Sequence, residues 1–262
     1  MEKIALFLIL LVFSSAAVAE NNCFIVQENN HVIVKEGNCS ARHSPCSTFK
    51  IALSLMGYDA LILKDQSHPE FPFKEGYTDF RESWKRPQNP TSWIKESCVW
   101  YSQVVAGKLG FESFQDYVAK FDYGNLDISD DRNKDPMTTN SWISGSLKIS
   151  PEEQIKFLQK FVDGKLPVSA RAHVMTKKII FVEDLPNGWK FYGKTGAGDS
   201  FGNDGKRNGG QLGWFVGFIE KGNRKIVFVN YLEEPGKQDY LSSRHARDVA
   251  KERLIKITNA KK

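Results

Sequence analysis

Two short runs of β-branched and aromatic residues, Cys23–Gln27 and His31–Lys35, flank Glu28-Asn29-Asn30 and predict a hairpin. The stretch from Ser47 to Gly57 then carries Phe49, Ile51, Ala52, Leu53, Leu55 and Met56. That is too many apolar positions for one stripe, so the pattern predicts a helix buried on all sides, with Gly57 as its stop. Residues 66–93 show no period and read as a long irregular connection with short helices. The period is helical from Trp93 through Lys108, with Gly110 as a stop. Ser113-Phe114-Gln115-Asp116 reads as a capping box opening another helix to about Phe121, followed by a turn at Asp122–Asn125 and a polar loop to Asn140. Ser150-Pro151-Glu152-Glu153 is a strong helix start, and that helix runs to about Val162. A further helix covers Ser169–Ile179. After Pro186-Asn187-Gly188 the period shortens to two and predicts strands at Trp189–Thr195, Gly210–Glu220 and Lys225–Leu232. Gly222-Asn223 closes the last hairpin, and an amphipathic helix follows over about Gln238–Ile257.

Strands at both ends and helices between them predict an α/β chain of the layered α+β kind. Its central antiparallel sheet unites the N- and C-terminal strands, with helices on both faces and a helical lobe inserted at about residues 60–185. The first 19 residues carry a lysine, an apolar run and Ala17-Val18-Ala19, which read as a secretory signal peptide. Residues 20–262 then form a single catalytic domain with no membrane span. The net charge of +5 is spread over interspersed signs, with no basic stripe to suit nucleic acid. The four cysteines are too widely spaced for a metal site. Cys23 and Cys39 flank the hairpin, and both a disulfide and two free thiols are open there. Cys46 and Cys98 read as small buried hydrophobes.

Candidate chemistry begins at Ser47-Thr48-Phe49-Lys50. On a helix the hydroxyl of Ser47 and the amine of Lys50 lie one turn apart on one face. Serine needs a base within hydrogen-bond reach, and a lysine is a base only when neutral. The apolar surroundings favour that state. A second signal, Lys194-Thr195-Gly196, ends a strand and is followed by Ala197. It supplies a cation, a hydroxyl and a glycine that lets a ligand approach an edge strand. Each motif alone is common, but the pair S-x-x-K and K-T-G is that of β-lactamases and penicillin-binding proteins.

Between them stands Ser102-Gln103-Val104, an S-x-V in place of the S-x-N of other classes. With Tyr123-Gly124-Asn125 and Trp142, the set resembles class D serine β-lactamases of the oxacillinase type, over nearly all of residues 20–262. The resemblance implies a serine β-lactamase and penicillin-binding-protein-like fold. It also implies hydrolysis of penicillins and oxacillin-type β-lactams in the bacterial periplasm or outside the cell. Ser47 then resembles the nucleophile. Lys50 resembles the lysine that carbon dioxide converts to N6-carboxylysine, the general base, with no other cofactor and no metal. Ser102 resembles the hydroxyl that relays a proton to the lactam nitrogen, Val104 keeps the base dry, and the Trp142 indole holds the carbamate. Ser47 and Ala197 resemble the oxyanion amides. Lys194, Thr195 and Gly196 resemble substrate contacts, and Arg244, with Arg247 as rival, the group that binds the substrate carboxylate. Tyr123–Asn125 are read as structural turn residues. The resemblance extends to β-lactam-sensing receptor domains, which acylate without release, and to peptidoglycan D,D-peptidases. A monomer is expected.

Overall fold

In a computed structural model of the chain, residues 22–135, 139–201, 206–234, 236 and 242–260 are described. The expected signal peptide lies outside them. β1 (Cys23–Glu28) and β2 (His31–Gly37) form the expected hairpin, turned by Asn29 and Asn30, both at positive φ. β3 (Phe181–Leu185), β4 (Trp189–Phe201), β5 (Arg207–Lys221) and β6 (Arg224–Glu234) follow late in the chain. All six join one antiparallel sheet in the order β2-β1-β6-β5-β4-β3. The first strand thus pairs with the last, Cys23 opposite Tyr231 and Glu28 opposite Ile226.

Alternation along β5 sends Phe215 and Ile219 to one face, and Trp214, Val216 and Phe218 to the other. On the first face Phe24, Phe191 and Phe228 pack with Ala246, Ala250 and Leu254 of α7 (Ser242–Ala260). The second face shares its core with the helical lobe, so helices cover both faces as expected. The lobe holds α1 (Lys50–Asp59), α2 (Pro90–Glu96), α3 (Val99–Leu109), α4 (Phe111–Phe121), α5 (Pro151–Val162) and α6 (Ala170–Ile179). None of the described helices is long and apolar enough to cross a membrane.

Several local expectations are corrected. Gly57 does not stop α1, which continues to Asp59. A Cβ on Gly57 would lie 2.9 Å from Leu63 Cδ1, so the glycine makes room for packing inside the lobe. The single helix expected over Trp93–Lys108 is two helices, broken at Ser97, whose φ is 58°. Its true start is Asn89, which exchanges a reciprocal capping pair with Ser92. The box expected at Ser113 does not form, because Gly110, at φ 76°, redirects the chain and α4 opens directly behind it. The Ser150–Glu153 box does form. β3 was not anticipated, since its Glu183 and Asp184 break the apolar alternation of a short edge strand. β4 and β5 run on past the expected ends, to Phe201 and back from Arg207. Gln238, the expected start of the last helix, lies outside the described residues, and α7 extends to Ala260.

Cys23 and Cys39 are disulfide-bonded, closing the ends of the hairpin segment, while Cys46 and Cys98 are free and buried. The bond spans a separation of 16 residues, a loop whose closure restricts the unfolded chain by about 3 kcal/mol. Reduction, or the double change Cys23→Ala and Cys39→Ala, is expected to lower unfolding stability by that order, read from urea midpoints with and without reductant.

Candidate active site

The site is built on the turn Pro45–Phe49 that leads into α1. Cys46 has a φ of 51°, a left-handed conformation that costs a non-glycine residue on the order of 1 kcal/mol. Two contacts hold it there: its N–H donates to Trp142 O at 2.8 Å, and its thiol to Ile143 O at 3.4 Å. The next residue, Ser47, is left half-buried at the head of the helix. Thr48 N–H donates to Pro45 O at 3.1 Å, so the N–H that this position presents beside the hydroxyl is that of Ser47 itself.

Lys50 lies one turn on, fully buried, and its Nζ donates to Ser47 Oγ at 3.1 Å. Burial pushes its amine down from 10.5 to about 8, and the charge of Arg81 adds to that fall. Phe49 stacks on Trp142 at 5.4 Å, and Phe114 closes on the same indole at 5.8 Å. Trp142 is therefore packed against Phe49, between Ser47 and Lys50, and its carbonyl holds Cys46.

β4 supplies the opposite side. β3 covers it only at Trp189–Tyr192, so beyond Gly193 its outer edge carries no described strand. Thr195 and Ala197 line the cleft from that edge. Gly196 does something other than admit a ligand. A Cβ there would sit 3.0 Å from both Pro45 O and Thr48 Cγ2, so the glycine lets the Pro45–Phe49 turn seat against the strand. Lys194 is turned inward and buried. Its amine donates to Ser97 Oγ, Thr195 O and Thr195 Oγ1, each at 3.0 Å. Desolvation holds that amine well below the usual lysine range, and the neighbouring Lys50 lowers it further.

Ser102 and Val104 are not brought to the cleft. Ser102 is fully buried in α3, where its hydroxyl accepts from Trp93 Nε1 at 2.9 Å and donates to Cys98 O at 3.3 Å. Val104 packs half-buried against the lobe core. The cleft is lined instead by Ser97 and Val99, which form a second S-x-V, Ser97-Cys98-Val99. The break between α2 and α3 aims the Ser97 hydroxyl at Lys194. That signal was present in the sequence, but one short pattern matched twice and only the helix break separates the two.

Tyr123–Asn125 are turn residues, as expected: Asn125 Nδ2 donates to Ser146 O, and its Oδ1 accepts from Lys148 N. Arg244 and Arg247 both line the cleft from the first turns of α7. Arg247 pairs with Asp248, whereas Arg244 meets no carboxylate among the described residues. That difference favours Arg244 as a ligand contact. The cleft, of about 300 Å³, is also lined by Phe80, Arg81, Trp84 and Lys95, which lie in or beside the stretch read as irregular and were not anticipated. It can hold an anionic acyl group against a serine with a buried amine behind it.

Comparisons agree with this geometry. Residues 16–254 match the family model described as the penicillin binding protein transpeptidase domain. Beta-lactamase OXA-9 of Klebsiella pneumoniae is 38% identical over 262 residues, covering 95% of each chain. The crystal structure of OXA-427 class D beta-lactamase superposes with a TM-score of 0.84 at 41% identity, covering 91% of this chain and 99% of that one. The C-terminal domain of the Bacillus licheniformis BlaR penicillin-receptor matches with a TM-score of 0.74 at 25% identity, over 89% of each.

Ser102→Ala is expected to cost about 1–3 kcal/mol in urea unfolding, because the buried Trp93 indole loses its acceptor. Ser97→Ala, at a half-buried position, is expected to cost less than Ser102→Ala in the same measurement.

Proposed function

Since the chain belongs to the class D β-lactamases, within the penicillin-binding-protein transpeptidase family, we propose that Ser47 opens the β-lactam ring and that a carbamate on Lys50 serves as the base for acylation and for release. The observation that carries this reading is the buried Lys50 amine, 3.1 Å from the Ser47 hydroxyl. Only a neutral amine reacts with carbon dioxide. With its proton lost near pH 8, about one Lys50 in ten is neutral at pH 7, against about one in three thousand for an ordinary lysine. The carboxylated side chain is anionic and takes the proton from Ser47. Trp142, packed against Phe49, is the indole suited to hold it.

The substrate carboxylate sits at Thr195 and Arg244, with the Lys194 amine behind Thr195. Ser47 Oγ attacks the lactam carbonyl, and the N–H groups of Ser47 and Ala197 receive the developing oxyanion. Ser97 then relays the Ser47 proton, giving its own to the departing lactam nitrogen and recovering one from the protonated base, which is left anionic again; its contact with Lys194 supports this role. Val99 and Ile143 shield the base from bulk water. In the second half the same base takes a proton from the water that cleaves the ester. The Cys23–Cys39 disulfide supports action in an oxidising compartment, such as the periplasm.

The likeness to the BlaR receptor domain favours a second reading, acylation without release. Intact-mass measurement after penicillin addition separates the two: hydrolysis predicts a transient adduct that clears in bicarbonate, and a lasting adduct would sink it. Release of D-alanine from a D-Ala-D-Ala peptide would instead mark a peptidase.

Two further outcomes are expected from steady-state turnover of a chromogenic cephalosporin. An amine whose pKa is depressed to about 8 is neutral above that value and protonated below it, so turnover falls as pH drops below about 8 and added bicarbonate restores it. Lys50→Ala abolishes release, and Ser97→Ala lowers kcat/KM by about 10²- to 10⁴-fold, whereas Ser102→Ala stays within about tenfold of the parent.

A further inference from the structure

The lobe side of the cleft carries charge that the reaction above does not use. Arg81 and Lys95 both line the cleft and are exposed. Three carboxylates lie close in sequence, and each is engaged elsewhere: Asp79 and Glu82 with Lys85, and Glu96 with Arg86. Among the described residues no carboxylate pairs with Arg81 or Lys95. Arg81 rests 5.8 Å from the centroid of the Trp84 ring, and Trp84 is fixed by its Nε1 bond to Glu96 O at 2.9 Å. The guanidinium thus has a rigid support. Phe80, 85% exposed, stands beside it at the rim. Among the described residues no carboxylate lines the cleft, while cations enter it from both sides: Arg244 from α7, Arg81 and Lys95 from the lobe.

A penicillin has two ends. Its ring carboxylate lies on one side of the scissile amide and its acylamino side chain on the other. With the ring carboxylate at Thr195 and Arg244, the side chain is left to the lobe wall. We propose that Arg81 and Lys95 form a second anionic subsite, which selects β-lactams whose acyl side chain bears its own carboxylate or sulfonate. The aromatic rings of Phe80 and Trp84 flank the aryl part of such a side chain. This inference rests on the hydrolase reading and fixes its substrate class.

Carbenicillin is benzylpenicillin with a carboxylate on the carbon beside the side-chain carbonyl, so the two differ by one charge. The quantity read is the ratio of their kcat/KM values, carbenicillin over benzylpenicillin. The double variant Arg81→Gln, Lys95→Gln is expected to lower this ratio by about fivefold or more, the order of one exposed ion pair, whatever happens to benzylpenicillin itself. Arg81→Lys, which keeps the charge, is expected to hold the ratio. Raising salt is expected to lower the parent ratio toward that of the double variant. A ratio unchanged by both the double variant and salt would overturn the subsite while leaving hydrolysis intact. If neither penicillin turns over, the hydrolase reading fails separately, and the same ratio taken from Ser47 acylation rates by intact mass still decides the subsite.

Discussion

An amine held away from water cannot keep its proton cheaply, and Lys50 is held away from water on every side. The desolvation of one charged group is worth several kcal/mol, and it brings loss of the proton down to about pH 8. The architecture around it serves this one condition. Phe49, Trp142 and Phe114 pack together beside the turn, Val99 and Ile143 line the cleft, and the Ser47 hydroxyl is the polar group that meets the amine. Two of the hydroxyls that line the cleft depend on left-handed backbone: Ser47 directly follows Cys46 at φ 51°, and Ser97 itself lies at φ 58°. Neither position is a glycine. The strain is local and is held by contacts from a distant part of the chain, the Trp142 and Ile143 carbonyls for one and the Lys194 amine for the other.

The cleft also joins two kinds of surface that seldom meet. Beyond Gly193 the outer edge of β4 offers backbone hydrogen-bonding groups that no strand among the described residues takes. Arg81 and Lys95 of the lobe and Arg244 of α7 offer cations that no carboxylate among the described residues pairs. An extended anionic ligand satisfies both at once. The field of such a cleft draws anions toward the nucleophile before any specific contact forms.

Much of this was legible in the sequence. The buried helix, the hairpins, the Ser150 cap and the layered sheet follow from period and end signals that act over a few residues. Ser47, Lys50 and Lys194 are legible because each stands in a motif whose spacing the local structure preserves. Ser97 was not separated from Ser102, because the difference lies in a helix break that no glycine or proline announces. Glu96-Ser97-Cys98 reads as ordinary helix, and only its seat beside Lys194 gives Ser97 a reason to leave it. Gly57 and Gly196 misled for a related reason. Each reads as a local signal, a stop or a ligand approach, but each exists to let another segment come close. Arg81, Trp84 and Lys95 carry no periodic signal at all, and the fold alone gathers them.

The pairing of β1 with β6 has a consequence for the life history of the molecule. Residues 23–28 pair on one side with β2 but on the other only with residues 226–231, so the sheet cannot close until the last strands have been made. The Pro45–Phe49 turn seats against β4, itself among the late strands, so Ser47 waits for them as well. Contacts of such long sequence separation form slowly, after the intervening loop has been ordered. Ser47 and the β4 edge therefore face each other only once the two ends of the chain have met.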